Sequence, residues 1–394
     1  MKAIVCGQLI DGTGREPVRD AVIVLDDGVI SAVGSRSTMP VPRDAEVLDW
    51  SGSTALPGLI DCHEHLGIDL GDEEGQLEQP LEYAVARCVR TARLIVSSGI
   101  TTIRDCGERG TLGMAMRDAI ADGVVPGPRV LAAGRNICRT GGHGWKMGRE
   151  ADGADGLRAA VRANCREGAD LIKIMASGGI STAGSTVMAP EFTDAEFEAV
   201  IDEAHRRGRK VAAHGHGGPG VASAVRAGVD SIEHGLFLTA DDVALMVEHG
   251  TYLVVTAGSF YVIRASPHVP QFQKDKVGNA IEGHRTMLAG TVGSGLKVVV
   301  GTDENHGNLW FEMQLLREVG YDPLDIISAA TARGAQLLGI DERVGTLEPG
   351  KAADVVEVPA DPLDDLRALK TVGTVLKGGV RQPHDEFPTS GRTP

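Results

Sequence analysis

The middle of the chain alternates short, continuously apolar segments with longer segments whose apolar residues recur every three to four positions. The first pattern predicts strands buried on both faces, and the second predicts helices with one apolar face, such as DAEFEAVIDEAHRRG. The strand segments are ALPGLIDCH, TTIRD, RVLAAG, DLIKIMA, KVAAH, DSIEH, YLVVT and KVVVGTD. Eight strand–helix units predict an α/β fold closed into a (β/α)8 TIM barrel rather than an open sheet.

Both ends of the chain follow a different pattern, in which β-branched residues are separated by Gly and Asp turns. Examples are KAIVCGQLID near the start and GTLEPGKAADVVEV near the end, and Asp26-Asp27-Gly28 predicts a hairpin. We therefore predict a small β-sandwich domain formed from both termini, residues 1–56 plus 345–380. The barrel is predicted over residues 57–344, and a flexible tail over 381–394.

Composition narrows the range of partners. The 394 residues include 39 basic and 54 acidic ones, and the net charge of -15 disfavours nucleic acid or an anionic membrane as a partner. The six cysteines form no CxxC pair and are expected to be reduced thiols. No apolar run approaches the roughly 20 residues that span a bilayer. The first residues lack the long apolar stretch of a signal peptide, so we expect a cytoplasmic protein.

Histidines stand at three of the predicted strand ends, where the active site of a (β/α)8 barrel lies. His63 and His65 are two residues apart and therefore point to one side of a strand, where neutral imidazoles suit zinc or a similar metal. Alone, this pair is equally well explained as two exposed loop histidines. His214 and His234 end the fifth and sixth strands, and packing does not explain two such histidines on consecutive strands.

A lysine and an aspartate complete the set of polar residues at the strand ends. Lys173 lies among apolar residues of the fourth strand, where it could extend to solvent or pair with a carboxylate. Burial also favours the neutral amine, which can react with CO2 to form a carbamate able to bridge two metals. Asp303 follows the eighth strand, where it could cap the next helix or ligate a metal and accept a proton.

Taken together, these residues resemble the metal site of the amidohydrolase superfamily, in its two-metal form with a carboxylated lysine. ALPGLIDCHEH and the segment ATARGAQLLGIDERVGTLEPGKAADVVEV (330–358) resemble further motifs of that superfamily. The resemblance implies two divalent metal ions, for which zinc is the expected element. The implied ligands are His63, His65 and Asp303 for the buried metal, His214 and His234 for the more exposed metal, and Lys173 as the bridging carbamate.

The resemblance also implies a reaction, in which a hydroxide bridging the metals attacks an amide carbonyl while Asp303 transfers its proton to the leaving amine. IKIMASGGI and EAHRRGRKVAAHGHG are similar to the branch that contains Xaa-Arg/Lys dipeptidases and imidazolonepropionase-like or prolidase-like enzymes. The predicted substrate is an N-acyl or N-aminoacyl L-amino acid. The alternatives are a cyclic amide, carbamate or urea, and a non-catalytic barrel scaffold, which metal analysis would distinguish from an enzyme.

Candidates for substrate binding lie in the loops after the strands. His143, in the GGHG loop, is predicted to bind substrate, although a solvated histidine explains it too; Tyr261 could bind substrate or pack against a helix. His216 is expected to be solvated or to act indirectly. A solvated acidic loop is expected for Asp69, Asp72, Glu73, Glu74, Glu78 and Glu82. The expected partner is a small-molecule substrate, and a homo-oligomer stays open.

Overall fold

The computed structural model describes residues 1–278 and 280–383. Its strands are β1 Lys2–Leu9, β2 Val18–Asp26, β3 Val29–Ser35, β4 Glu46–Pro57, β5 Leu59–Glu64, β6 Ile100–Asp105, β7 Arg129–Ala132, β8 Ile137–Cys138, β9 Arg149–Glu150, β10 Ile172–Met175, β11 Val211–Gly215, β12 Ser231–His234, β13 Tyr252–Val255, β14 Lys297–Val300, β15 Val355–Val358, β16 Val375–Lys377 and β17 Val380–Arg381.

Helices lie between most of these strands. They are α1 Glu73–Leu77, α2 Leu81–Ser97, α3 Leu112–Ala121, α4 Gly153–Glu167, α5 Asp194–Arg206, α6 Pro219–Arg226, α7 Ala240–His249, α8 Ala257–Ala265, α9 Gln271–Val277, α10 Ala280–Thr291, α11 Leu309–Glu318, α12 Pro323–Ala329 and α13 Ala332–Leu338, with a 3-10 helix at Leu366–Lys370. Within the described residues, no helix combines the length and the apolar character needed to cross a bilayer.

The two ends of the chain form one mixed sheet of seven strands, in the order β17-β16-β15-β4-β1-β2-β3. β4 joins the two ends, because it pairs in parallel with β1 and antiparallel with β15. The predicted hairpin connects β2 to β3, and its turn residues Asp27 and Gly28 have φ values of 46° and 79°, as a two-residue hairpin turn with two left-handed residues requires. The predicted tail lies almost entirely outside the described residues.

The barrel consists of eight parallel strands, β5, β6, β7 and β10 to β14, and confirms the fold predicted from the sequence. Each predicted strand segment overlaps one of them. The amide of Asp303 donates to the carbonyl of His63 (2.9 Å) and joins the end of β14 to β5. The amide of Asp170 donates to the carbonyl of Ala132 (2.8 Å) and joins β10 to β7. The sequence did not predict β8 and β9, which flank the loop that carries His143.

Helix α5 shows how the surrounding helices hold the strands in place. It begins with a capping box in which Thr193 and Glu196 satisfy each other's backbone amides. Its apolar residues Phe197, Val200 and Ile201 recur at helical spacing and are fully or almost fully buried in the main core. Packing of this kind fixes the strands, and therefore the polar residues at their C-terminal ends, in one geometry.

Candidate metal centre and active site

The structure brings the six predicted ligand residues together at the C-terminal end of the barrel. The closest approaches are those of His63 Nε2 to Asp303 Oδ1 (3.3 Å) and to Lys173 Nζ (3.4 Å), and of His234 Nδ1 to Asp303 Oδ2 (3.5 Å). The rings of His214 and His234 are 4.6 Å apart. Ligand atoms of His63, His65 and Asp303 all lie within 4.8 Å of one another, close enough to bind one ion.

The backbone at two of the strand ends is unusual. His234, Asp303 and Glu304 have φ values of 74°, 49° and 71°, in the left-handed region that residues other than glycine seldom occupy. Strain of this kind is concentrated at functional sites. Gly301 allows the last strand to approach the first, since a Cβ at this position would lie 2.6 Å from the Cβ of His63.

Hydrogen bonds orient all four rings of the candidate histidine ligands, including that of His234, whose Nδ1 lies 2.8 Å from Thr256 Oγ1. His63 Nδ1 lies 2.8 Å from Glu233 Oε2, and His65 Nδ1 lies 2.7 Å from the carbonyl of Gly107. Because these acceptors require an N–H group, Nε2 of both rings is left with its lone pair free for a metal. His214 differs, since its Nε2 lies 3.2 Å from the carbonyl of Gly178 and its Nδ1 is left free.

The charge states of these groups also suit a divalent metal. Burial, with the neighbouring His63, lowers the pKa of His65 to about 4, and burial holds the pKa of His214 and His234 well below the ordinary value. Burial alone would raise the pKa of Asp303, but His63, His65 and Lys173 lower it overall. Burial would lower the pKa of His63, but Cys106 and Asp303 raise it well above the ordinary value, so His63 would release a proton on binding a metal. The neutral imidazoles of the other three histidines and the ionised carboxylate of Asp303 are already in the forms that bind a divalent ion.

Lys173 is only 1% exposed, which excludes extension of its side chain to solvent. Its polar contact is His63 Nε2, and it forms no salt bridge with any carboxylate among the described residues. A buried ammonium without a hydrogen-bonded counter-charge is costly. Lys173 is thus a buried amine whose polar contact is a candidate metal ligand.

Glu233 connects the candidate metal centre to a buried arginine. It accepts hydrogen bonds from His63 Nδ1 (2.8 Å), from Arg104 (2.7 and 2.8 Å) and from Ser231 (2.6 Å). Burial would raise the pKa of Glu233, but Arg104 and His63 lower it to about 2, so the carboxylate is ionised. Glu233 thus keeps the hydrogen of His63 on Nδ1.

We expect Glu233→Gln to weaken metal binding by about 10- to 100-fold, the usual effect of losing a carboxylate behind a histidine ligand. Arg104 would also lose its buried counter-charge, so the melting temperature should fall. Metal affinity can be measured by competition with a chromophoric chelator. Glu318→Gln, which removes a half-exposed carboxylate paired with Arg285, is a matched control. Unchanged metal affinity in Glu233→Gln would contradict the role assigned to Glu233.

His306 ties the loop after β14 to the loop after β5. Its Nδ1 lies 2.9 Å from Glu64, and its Nε2 lies 2.9 Å from the carbonyl of Ile68. Burial would lower the pKa of His306, but Glu64 and Asp69 raise it to about 10. The cationic ring therefore anchors the first loop of the site.

This pairing predicts a specific pH dependence of stability. Because the pKa of His306 rises from 6.5 to about 10 on folding, its contribution is complete below pH 6.5 and is lost as pH rises toward 10. Urea unfolding of the wild type and His306→Gln should therefore show a stability difference that shrinks over this range. The exposed His268→Gln variant is the control, and a constant difference from pH 6 to pH 10 would count against the cationic pairing.

A cavity opens in front of the candidate metal ligands. Apolar side chains such as Leu70, Ile180 and Phe260 line one part, and the carboxylates of Glu73 and Glu304 lie in another. Glu304 is 8% exposed, and its Oε2 has no hydrogen-bond partner among the described residues. Burial raises the pKa of Glu73 to about 8, and the neighbouring carboxylate of Asp303 contributes to this rise.

Two of the loop histidines line this cavity, whereas Tyr261 does not. His143 is 7% exposed and its ring lies 4.3 Å from that of His214. His216 is 2% exposed, so it is not the solvated residue considered from the sequence. Tyr261 packs edge-on against Phe311, and its hydroxyl accepts a hydrogen bond from Arg285 (3.2 Å). The structure thus gives Tyr261 the packing role that the sequence left open.

Several residues of the site were missed or misjudged from the sequence. Glu233 and Glu304 directly precede and follow ligand positions, and that adjacency was the available signal. Glu73 was expected in a solvated loop, but α1 turns it toward the cavity, which no local pattern indicates. Thr182 lies 2.8 Å from His143, a contact across 39 positions that the sequence does not reveal.

Comparison with known proteins gives the same result as the geometry. The model of the amidohydrolase family matches residues 54–381. Ochratoxinase from Aspergillus niger is 31% identical over 95% of this chain and 85% of its own length. Imidazolonepropionase from Rhizorhabdus wittichii is 28% identical, with 89% and 92% covered. A solved Xaa-Pro dipeptidase with methionine in its active site superposes with a TM-score of 0.90 at 31% identity, with 96% and 99% covered.

The fold and the cluster of histidines and carboxylates define a barrel hydrolase of the kind that uses divalent metal ions. The chain belongs to the amidohydrolase family. It is accordingly a hydrolase that acts on carbon–nitrogen bonds, as the sequence predicted.

Proposed function

We propose that this enzyme hydrolyses the amide bond of N-acyl or N-aminoacyl L-amino acids. The observation that carries the proposal is the cluster of His63, His65, Lys173, His214, His234 and Asp303 at the mouth of the barrel. Two zinc ions held by these residues would lower the pKa of the attacking water and polarise the substrate carbonyl. Lys173, as a carbamate, would supply the anionic ligand shared between them, which accounts for its burial without a carboxylate partner.

Asp303 is the proposed proton carrier. Its carboxylate is ionised, and 21% of its side chain is exposed toward the cavity, so it can contact both water and substrate. It would accept a proton from the attacking water and return it to the nitrogen of the leaving amino acid. One group can perform both transfers because the water and the nitrogen lie on the same carbonyl carbon after attack.

The cavity supports an amino-acid-like substrate with an ammonium group. The pKa values of Glu73 and Glu304 are raised, and a cationic group of the substrate would stabilise the ionised forms of both carboxyl groups. The apolar wall formed by Leu70, Ile180 and Phe260 suits an aliphatic or aromatic side chain. Ochratoxinase and a Xaa-Pro dipeptidase among the relatives support cleavage next to an amino acid.

A cyclic amide is the second candidate substrate, favoured by the similarity to imidazolonepropionase. A ring amide, a carbamate or a urea would use the same attack on a carbonyl. A cyclic amide differs from an N-acyl amino acid in its leaving group, because the amine released by ring opening stays attached to the new carboxylate. We propose the cytoplasm as the location in either case.

A substrate screen with the metal-loaded full-length protein tests the proposed function. The library should contain N-acyl amino acids, dipeptides with basic and neutral residues, lactams and ureas, and release of the amine should be measured. We expect hydrolysis of N-acyl amino acids or dipeptides, fastest for members with an ammonium group. Activity confined to lactams or ureas would overturn the substrate class, and a protein that binds no metal would overturn the mechanism. His65→Asn is the inactive control.

A further inference from the structure

The tautomer of His143 decides what this residue can offer a substrate. A neutral imidazole carries its hydrogen on one nitrogen only, so Nε2 is either a donor or an acceptor. His143 is 7% exposed, and its ring lies 4.3 Å from that of His214. Its Nδ1 lies 2.8 Å from the hydroxyl of Thr182.

The hydrogen bonds of Thr182 distinguish between the two tautomers. Thr182 Oγ1 already accepts a hydrogen bond from the amide of Gly144 (3.1 Å). If His143 Nδ1 also donated to Oγ1, the hydroxyl hydrogen would need another acceptor, and none lies within hydrogen-bond distance among the described residues. A buried hydroxyl left without an acceptor is unfavourable. The hydroxyl therefore donates to Nδ1, and the hydrogen of His143 is on Nε2.

The surrounding loop holds this arrangement in place. Lys276 Nζ donates to the carbonyls of Gly179 (3.0 Å), Ile180 (3.2 Å) and Thr182 (2.6 Å). Gly179 lies against the imidazole, because a Cβ at this position would lie 2.2 Å from both Nε2 and Cε1 of His143. Any side chain at position 179 would displace the ring. His143 lines the cavity, and its Nε2 has no hydrogen-bond partner among the described residues.

We propose that Thr182 is a positioning residue that keeps the hydrogen of His143 on Nε2, so that His143 donates a hydrogen bond to the carbonyl oxygen of the scissile bond. The inference rests on the proposed function, because it concerns the carbonyl that is attacked. The negative charge on that oxygen grows during attack, and a fixed neutral donor interacts with it more strongly in the transition state than in the bound substrate. Thr182 itself need not contact the substrate.

The kinetic test compares Thr182→Val, which has the same shape without the hydroxyl, with Thr182→Ser, which keeps it. We expect Thr182→Val to lower kcat by about 10- to 100-fold with little change in KM, because a transition-state donor is lost. Thr182→Ser should retain most of the activity. A phosphonate analogue of the substrate, which imitates the tetrahedral state, should lose affinity for Thr182→Val by a similar factor.

A double-mutant cycle separates this role from a general effect on the loop. In a His143→Gln background, where the amide side chain donates without help from Thr182, the Thr182→Val change should have almost no further effect. Equal losses in the two backgrounds would overturn the inference, as would equal damage from Ser and Val at position 182. If Thr182→Val fails to fold, Thr182→Ala is used in the same cycle.

The tautomer can also be observed without any substrate. In protein labelled with 15N-histidine, the shifts of the two ring nitrogens show which one is protonated, and the His143 signal is the one lost in His143→Gln. We expect a protonated Nε2 in the wild type and loss of this preference in Thr182→Val. A wild-type ring protonated on Nδ1 would overturn the inference even in an active enzyme. An inactive enzyme with the expected spectrum would instead overturn the proposed function.

Discussion

Asp303→Asn should retain its metal and lose about 10²- to 10⁴-fold in kcat. The amide keeps an oxygen near His63 and His234, so a ligand atom remains, but it cannot accept a proton from water at neutral pH. The wild-type carboxylate is ionised and partly open to the cavity, and both properties are needed for proton transfer. Steady-state kinetics with the best substrate from the screen would give the size of the loss.

Metal analysis and thermal unfolding of the same preparations serve as controls for this variant. The wild type and Asp303→Asn should bind the same number of ions and differ little in melting temperature. A variant that kept its metals and full activity would contradict the role of Asp303 as proton carrier. If Asp303→Asn loses metal in proportion to its activity, Asp303 acts as a metal ligand and not as the proton carrier.

Replacement of Lys173 should have an effect of comparable size. We expect Lys173→Ala to lose about 10³-fold in activity, together with part of its metal, because the proposed anionic ligand is removed. Acetate or propionate, added with the metal, should restore part of the activity by placing a carboxylate in the space vacated by the side chain. Full-length protein and the substrate of the screen are used in this measurement.

If Lys173 is a carbamate, activity of the wild type should depend on CO2, because formation of the carbamate consumes CO2. Metal-free wild-type enzyme should regain more activity when zinc is added with bicarbonate than in CO2-free buffer, whereas Lys173→Ala should show no such difference. Lys210→Ala is the matched control, because Lys210 is on the neighbouring strand region but donates to the carbonyls of Gln336 and Leu337. Reconstitution that is independent of bicarbonate would argue for an unmodified amine.

The barrel and the set of candidate ligands were predictable because both depend on local patterns. Each strand is a short apolar run, and the candidate histidines and Asp303 stand at or just beyond the end of such a run, so topology alone brings His63 and His234 together. Lys173 lies within its run instead and stands out as the one charged residue there. The amide that closes the barrel at Asp303 also belongs to a strand end. Resemblance to a known superfamily added the implied roles, which the residue types by themselves left open.

The remaining features depend on contacts between distant loops. α1 is a helix of five residues whose orientation brings Glu73 to the cavity, and nothing in EEGQL indicates that orientation. Tyr261 and Phe260 are neighbours on α8, but only Phe260 lines the cavity, because the helix turns Tyr261 toward Arg285. Tertiary packing sets the orientation of a short helix, and the local sequence gives almost no indication of that packing.

The sheet made from both ends of the chain has a consequence for synthesis on the ribosome. β4 is translated early and can pair with β1 at once. Its other edge stays unpaired until β15 is made, and β15 is translated only after the whole barrel. Until then the nascent protein has an unpaired strand edge, the kind of surface that recruits other chains. Completion of this sheet is therefore a late event in biogenesis, and a ribosome that stalls before residue 355 would release an aggregation-prone product.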